Sequence, residues 1–290
     1  MYKQLKDNTA SFGVKQMCEA FMIPRCSYYA WQKRGISKRK REDMYYTELI
    51  ATIHEQKKHR YGSPRITAEL QAEGIKIGEK RVCRLMRIQG FTADRRKKRR
   101  RSYYPGLREP AAGNMVNRKF NQRYANNLWA GDISEIQTNE GVMYLSVVMD
   151  MWSRAVIGWD IKSSMDENLV IRALEKAIIS RKPKGKLIVH TDRGSQYSGV
   201  RYRQLLKKNN ITQSMSFKGN CYDNAPVESF FASLKKELVY RDRFKTKEEA
   251  RRKIFEYIEI FYNRQRRHSS LGYLSPMQFE KLKNNYFLSV

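Results

Sequence analysis

Three carboxylates stand out in a chain that is otherwise strongly basic. Asp132 lies in the segment NLWAGDISEIQ, Asp192 directly follows the apolar run KLIVHT, and Glu228 falls in the first turn of the helix expected after GNCYDNAP. Carboxylates brought to one place repel each other. A hard divalent cation relieves that repulsion, and Mg²⁺ typically binds through a few carboxylates plus substrate phosphates. Two such ions activate an attacking oxygen and stabilise a leaving one in phosphodiester displacement. Taken alone, Glu228 has a simpler account, since the macrodipole favours an acid in the first turn of any helix.

The elements that must bring these residues together can be read from residue 126 onward. NLWAGDISEIQ, VMYLSVVMD and RAVIGWDI are β-rich and separated by the short turns NEG and MWS, which suits an antiparallel meander. ENLVIRALEKAIIS has Leu169, Val170, Ala173, Leu174 and Ala177 at helical spacing. A strand KLIVHTD, a helix GVRYRQLLKKNN, a strand ITQSM and the helix of Glu228 follow. The order βββ-α-β-α-β-α predicts a mixed α/β sheet with helices on its faces. Two acids on strands and one on a covering helix then converge at one edge.

The first 122 residues have a different texture. They hold 29 Lys+Arg and 11 Asp+Glu, a net of +18, against +11 for the remainder. So large an excess calls for a polyanionic partner, nucleic acid first and an anionic membrane surface second. Residues 12–34 predict two short helices broken at Pro24, in the manner of a helix-turn-helix, and SKRKRED after them reads as a linker. In YGSPRITAELQAEG, Ser63 is the expected N-cap, with Pro64 at the first helical position and Gly74 past the end. IGEKRVCRLMRIQG turns Val82, Leu85 and Met86 inward and Lys80, Arg81, Arg84 and Arg87 outward, so those four and Arg65 are the DNA-binding candidates here. RRKKRRR at 95–101 predicts an exposed basic arm. Four cysteines without a CxxC pair and four scattered histidines argue against zinc. No run approaches the roughly 20 apolar residues of a membrane span. MYKQLKDNTA lacks an apolar signal core, so a soluble, cytoplasmic protein is expected.

Taken together, WAGDIS (129–134), HTDRGSQY (190–197), KGNCYDNAPVESFFASLKKE (218–237) and YNRQRRHSSLGYLSP (262–276) carry a resemblance to the DDE transposases and integrases. The chain most resembles the orfB-type transposases of the insertion-sequence-three family. Thirty-five residues separate Asp192 from Glu228, the spacing of that group. RYGSPRITAEL and KRVCRLMRIQG match its upstream helical segment, so the resemblance covers nearly the whole chain. It implies a ribonuclease-H-like core in which Asp132, Asp192 and Glu228 ligate two Mg²⁺ or Mn²⁺ ions. Water would first hydrolyse a phosphodiester at an element's end, and the freed 3′-OH would then attack another phosphodiester. It also implies a homo-oligomer when two ends are paired, and an upstream-frame protein or fusion partner. Ser134, where Thr is commoner, and Gly131 before the first acid are small departures.

The expected organisation is 1–40 helix-turn-helix-like, 41–94 trihelical DNA-binding, 95–122 basic linker, 123–242 catalytic core and 243–290 helical extension. Lys235, two turns beyond Glu228 on nearly the same face, is a candidate for a DNA phosphate, as are Arg193 and Lys218 in loops. Asp150, with Arg154 as its expected partner, and Asp160 read as structural, as does His190. Glu135 should point to the strand face opposite Asp132. Asp223 is expected to order its loop and Asn224 to cap the last helix. Two other functions stay open: a DNA-binding regulator without catalysis, and a ribonuclease-H-type nuclease acting on hybrids.

Overall fold

A computed structural model describes residues 2–8, 12–93, 112–217 and 224–288. The chain forms two compact units, Met1–Ala93 and Asp94–Val290. Lys218, Asp223 and the basic run 95–101 lie outside the described residues.

The first unit is helical: α1 (Tyr2–Asp7), α2 (Val14–Ala20), α3 (Arg25–Lys33), α4 (Lys38–Gln56), α5 (Ser63–Ala72) and α6 (Glu79–Ile88). Leu5, Met17, Cys18 and Tyr28 form a small core under α1–α3, with Tyr2 stacked on Trp31 at 5.5 Å. SKRKRED is not a linker. Ser37 caps α4 by accepting from the Lys40 N–H, and the basic run forms the first turns of that 19-residue helix. Glu42 and Asp43 within it pair with Arg81 and Arg84, which offsets the clustering of like charge. The boundary expected at 40/41 therefore falls inside a helix. Ser63 is likewise not a cap but the first residue of α5, after Gly62. Gly74 and Gly90 follow α5 and α6 at φ of +82° and +68°, where a side chain would be strained.

The second unit has the element order read from the sequence. Strands β1 (Leu128–Thr138), β2 (Gly141–Asp150) and β3 (Val156–Lys162) form the antiparallel meander. After α7 (Glu167–Arg181), β4 (Leu187–Thr191) pairs parallel to β1; after α8 (Val200–Lys208), β5 (Ile211–Met215) pairs parallel to β4. The order β3-β2-β1-β4-β5 is that of a ribonuclease-H-like mixed sheet. α7 buries Leu169, Val170, Ala173, Leu174 and Ala177, at about 1.5–3 kcal/mol for each large aliphatic side chain. It approaches β3 so closely at Gly158 that a Cβ there would meet the Ala177 nitrogen at 2.6 Å. α9 (Ala225–Leu234) carries Glu228 and continues into a π-helical turn, Lys235–Val239. α10 (Lys247–Phe255) widens in the same way over Glu256–Tyr262, and α11 (Pro276–Leu288) follows.

Candidate active site and nucleic-acid interface

The register of the parallel pair places the first two acids. Ala130 lies opposite His190, so Asp132, within β1, and Asp192, just past the end of β4, are each two residues further along neighbouring parallel strands. The Asp132 carboxylate accepts from the Ile133 N–H at 2.8 Å and that of Asp192 from the Gly194 N–H at 3.0 Å. Glu228 stands exposed in the first turn of α9, whose inner face is Val227, Phe230, Phe231 and Leu234.

Asn224, expected to cap α9, does not. Its side-chain N–H donates 3.1 Å to the Gly131 carbonyl, which ties the start of α9 to β1 beside Asp132. Its Oδ1 is buried without a hydrogen-bond partner.

Asp132 feels the charges of the other two acids. Desolvation, then the charge of Asp192, then that of Glu228 push the Asp132 carboxyl up to about 8 against the pull of Lys235 and the Ile133 N–H. Asp192 is also raised, by desolvation. Tyr197, part of HTDRGSQY but given no role from sequence, is buried beneath both acids, and its phenol is pushed well up by desolvation and by their charges. Nothing in the sequence separates this tyrosine from a core aromatic.

The donor set fits a hard divalent cation: all-oxygen, crowded with like charge, and with a carboxyl that desolvation and its acidic neighbours raise to about 8. Among the described residues, the three-ligand group whose atoms lie within 4.8 Å of one another is instead His54, Glu55 and His59. The Asp132, Asp192 and Glu228 trio is more open than that. The histidines are thus less scattered than their spacing suggested, since the Nδ1 atoms of His54 and His59 lie 2.8 Å apart.

The other acids have structural partners. Glu135, three positions along β1 from Asp132, belongs to the opposite face. Asp160 pairs with Lys176 at 2.8 Å. Asp150 is buried and accepts from the Asn126 and Trp152 N–H groups, both at 2.9 Å. The expected Asp150–Arg154 pair is replaced by a backbone bond, Arg154 N–H to Asp150 carbonyl at 2.8 Å. His190 is fully buried between the Ser214 and Ser216 hydroxyls.

The candidate DNA contacts divide. Lys235 is half-buried and close enough for its charge to lower Asp132. Arg193 instead donates to the Ser216 carbonyl at 2.7 Å, joining the ends of β4 and β5. On α6, Lys80 and Arg87 are exposed. Arg81 and Arg84 are half-buried and hold Asp43 at 2.8 and 2.7 Å, so they are not simply turned outward. With Lys38, Arg39, Glu42 and Lys80 they line a surface recess of about 750 Å³. Arg65 lies over the Tyr61 ring at 5.5 Å.

In the YNRQRRH motif, Asn263 pairs both ways with Val156, donating to its carbonyl at 2.9 Å and accepting from its N–H at 3.0 Å. Arg266, given no role from sequence, is buried and holds Glu237 through Nη2 at 2.7 Å and Nε at 2.9 Å. These contacts brace β3 and the helix of Glu228.

The family model "Integrase core domain" matches residues 122–221, a second of that description matches 228–283, and "HTH-like domain" matches 40–99. The chain is 42% identical over 281 residues to "Transposase InsF for insertion sequence IS3A" of Escherichia coli (strain K12), covering 96% of this chain and 98% of that protein. It is 38% identical over 265 residues to "Insertion element IS600 uncharacterized 31 kDa protein" of Shigella sonnei, covering 91% and 97%. Among solved structures, the HTLV-2 integrase catalytic core domain in complex with magnesium (trimeric form) is similar over 54% of this chain and 97% of that one, at 18% identity and a TM-score of 0.43.

Proposed function

The chain belongs to the InsF-type transposases of the insertion-sequence-three (IS3) family, and from that premise we propose that it hydrolyses a phosphodiester at each end of its element and joins the freed 3′-OH to DNA. The observation that carries this reading is the convergence of Asp132, Asp192 and Glu228, felt at Asp132 as a carboxyl raised to about 8. Asp132 and Asp192 would hold the cations from the strand ends and Glu228 from α9. Mg²⁺ or Mn²⁺, as a pair, would supply activation of the attacking oxygen and stabilisation of the leaving one.

The chain's own residues do the rest. Asp132 gives up its proton as the site fills, because a protonated carboxyl is a poor ligand. Lys235 meets a phosphate of the strand held at the acids. The Asn224 bond to Gly131 keeps the first turn of α9 in register with β1. Arg65, Lys80 and Arg87, with Arg193 and Lys218, would grip the DNA backbone; Arg81 and Arg84 would do so while still held by Asp43. Two ends must meet, so a homo-oligomer acts, joined by an upstream-frame protein or as a fusion with it. Among the described residues no helix is long and apolar enough to cross a membrane, and action on the bacterial chromosome implies the cytoplasm.

The test is a labelled duplex of the element's end incubated with purified protein and Mg²⁺. Wild type should release a 3′-OH end and join it to a second duplex, and Glu228→Gln should do neither. DNA binding without cleavage by wild type, with the upstream-frame protein supplied, would favour a DNA-binding regulator.

A further inference from the structure

On another flank of α9 from Glu228 lies a cavity of about 290 Å³, floored by Met149, Arg154, Phe230, Tyr262, Arg266 and His268 and rimmed by Ala225, Pro226, Ser229, Ser233 and Ser270. At about 30 Å³ per water, it has room for on the order of ten. Its walls combine aromatic faces, serine hydroxyls and cationic side chains.

The cations are not equivalent. Arg266 is neutralised within the fold, since Glu237 takes two of its nitrogens and the Ser233 hydroxyl a third contact at 3.0 Å. Arg154 has no such partner. Among the described residues no carboxylate lies within 4.0 Å of its guanidinium, whose hydrogen-bond contact is the Met151 thioether at 3.6 Å. The nearby Asp150 carboxylate accepts from two backbone N–H groups and acts on Arg154 through its charge alone, without contact. Arg154 is also held in the left-handed region at φ 60°, an uncommon position for a branchless long side chain and one that fixes where it leaves the turn. A half-buried guanidinium that no carboxylate touches is costly to hold, and an arriving anion offsets that cost. Arginine's fork matches phosphate geometry.

We propose that this cavity binds a backbone phosphate of the DNA strand flanking the scissile bond, with Arg154 as its charged ligand and the Ser229 and Ser270 hydroxyls as further donors. The inference rests on the transposase reading above, because it takes the strand at Glu228 to continue across α9. Ser229 directly follows Glu228, so the cavity mouth and the acidic site share the first turns of one helix. Arg154 would thus set the path of the strand, while the three carboxylates act on its bond.

The test uses the full-length protein and a fluorescent duplex of the element's end, with neutral methylphosphonate linkages placed one at a time near the cleavage site. In wild type, one linkage other than the scissile one should weaken binding about tenfold, the scale of one charge-assisted contact. Arg154→Gln should weaken the natural duplex about tenfold and lose sensitivity at that linkage alone. Ser229→Glu, on an exposed position, offers Arg154 a carboxylate in place of phosphate; it should weaken binding equally while its melting temperature holds or rises. Inorganic phosphate should compete against wild type more strongly than against Arg154→Gln if a free phosphate suffices, and equally poorly against both if the strand is needed. Unchanged affinity in both variants, with every linkage penalty as in wild type, overturns the proposal. Failure of wild type and Glu228→Gln alike to bind any duplex overturns the transposase reading itself.

Discussion

Replacing Asp132 by Asn should make the metal-free protein more stable while abolishing its chemistry. Desolvation and the charges of Asp192 and Glu228 raise the carboxyl from 3.8 to about 8. A carboxyl raised in the fold binds its proton more tightly there than in the unfolded chain. Its contribution to stability is therefore full below about pH 4 and is lost as pH rises through about 8. About four units at about 1.4 kcal/mol each set a ceiling of about 5–6 kcal/mol. Asp132 is only half-buried, and water and neighbouring charges relax around it. A gain of about 2 kcal/mol at pH 8 is the expected scale, or about 4–8 °C in Tm. The assay is thermal melting in a chelator between pH 5 and 8. Wild type should lose stability across that window more steeply than Asp132→Asn, and Asp192, also raised, should leave a residual slope in the variant. Mg²⁺ should then stabilise wild type, increasingly with pH, and leave the variant unmoved. Parallel pH curves for the two proteins, or a variant less stable at pH 8, would refute the claim that these acids share an unneutralised site.

Three further outcomes follow from individual contacts. Gly158→Ala forces α7 off β3 and should cost about 1–3 kcal/mol, read as a lower midpoint in urea. Asn263→Ala strands the buried N–H and carbonyl of Val156 and should cost about 2–5 kcal/mol by the same measurement, with fast exchange of the Val156 amide. Lys235→Ala should lower DNA affinity with little change in stability, and should flatten the dependence of log K on log salt by about one.

Much of the second unit was legible because period-two and period-3.6 patterns change cleanly at short turns, and because Asp132 falls within a strand while Asp192 and Glu228 fall where elements end or begin. The misreadings share a cause, which is that partners distant in sequence decide what a polar residue does. SKRKRED read as a linker, but it opens a helix whose Asp43 holds Arg81 and Arg84. Asn224 had the right type and place for a cap, but its amide found the Gly131 carbonyl instead. Arg266 and Tyr197 were given no role because the burial of the one and the acidic neighbours of the other are written only in the tertiary fold.

The most direct measurement is in cells. The element and its upstream frame are expressed with wild-type chain or Glu228→Gln, and the junction of abutted element ends is amplified. Junctions should form with wild type alone. Junctions from both proteins would contradict this, because Glu228 would then stand outside the chemistry assigned to it.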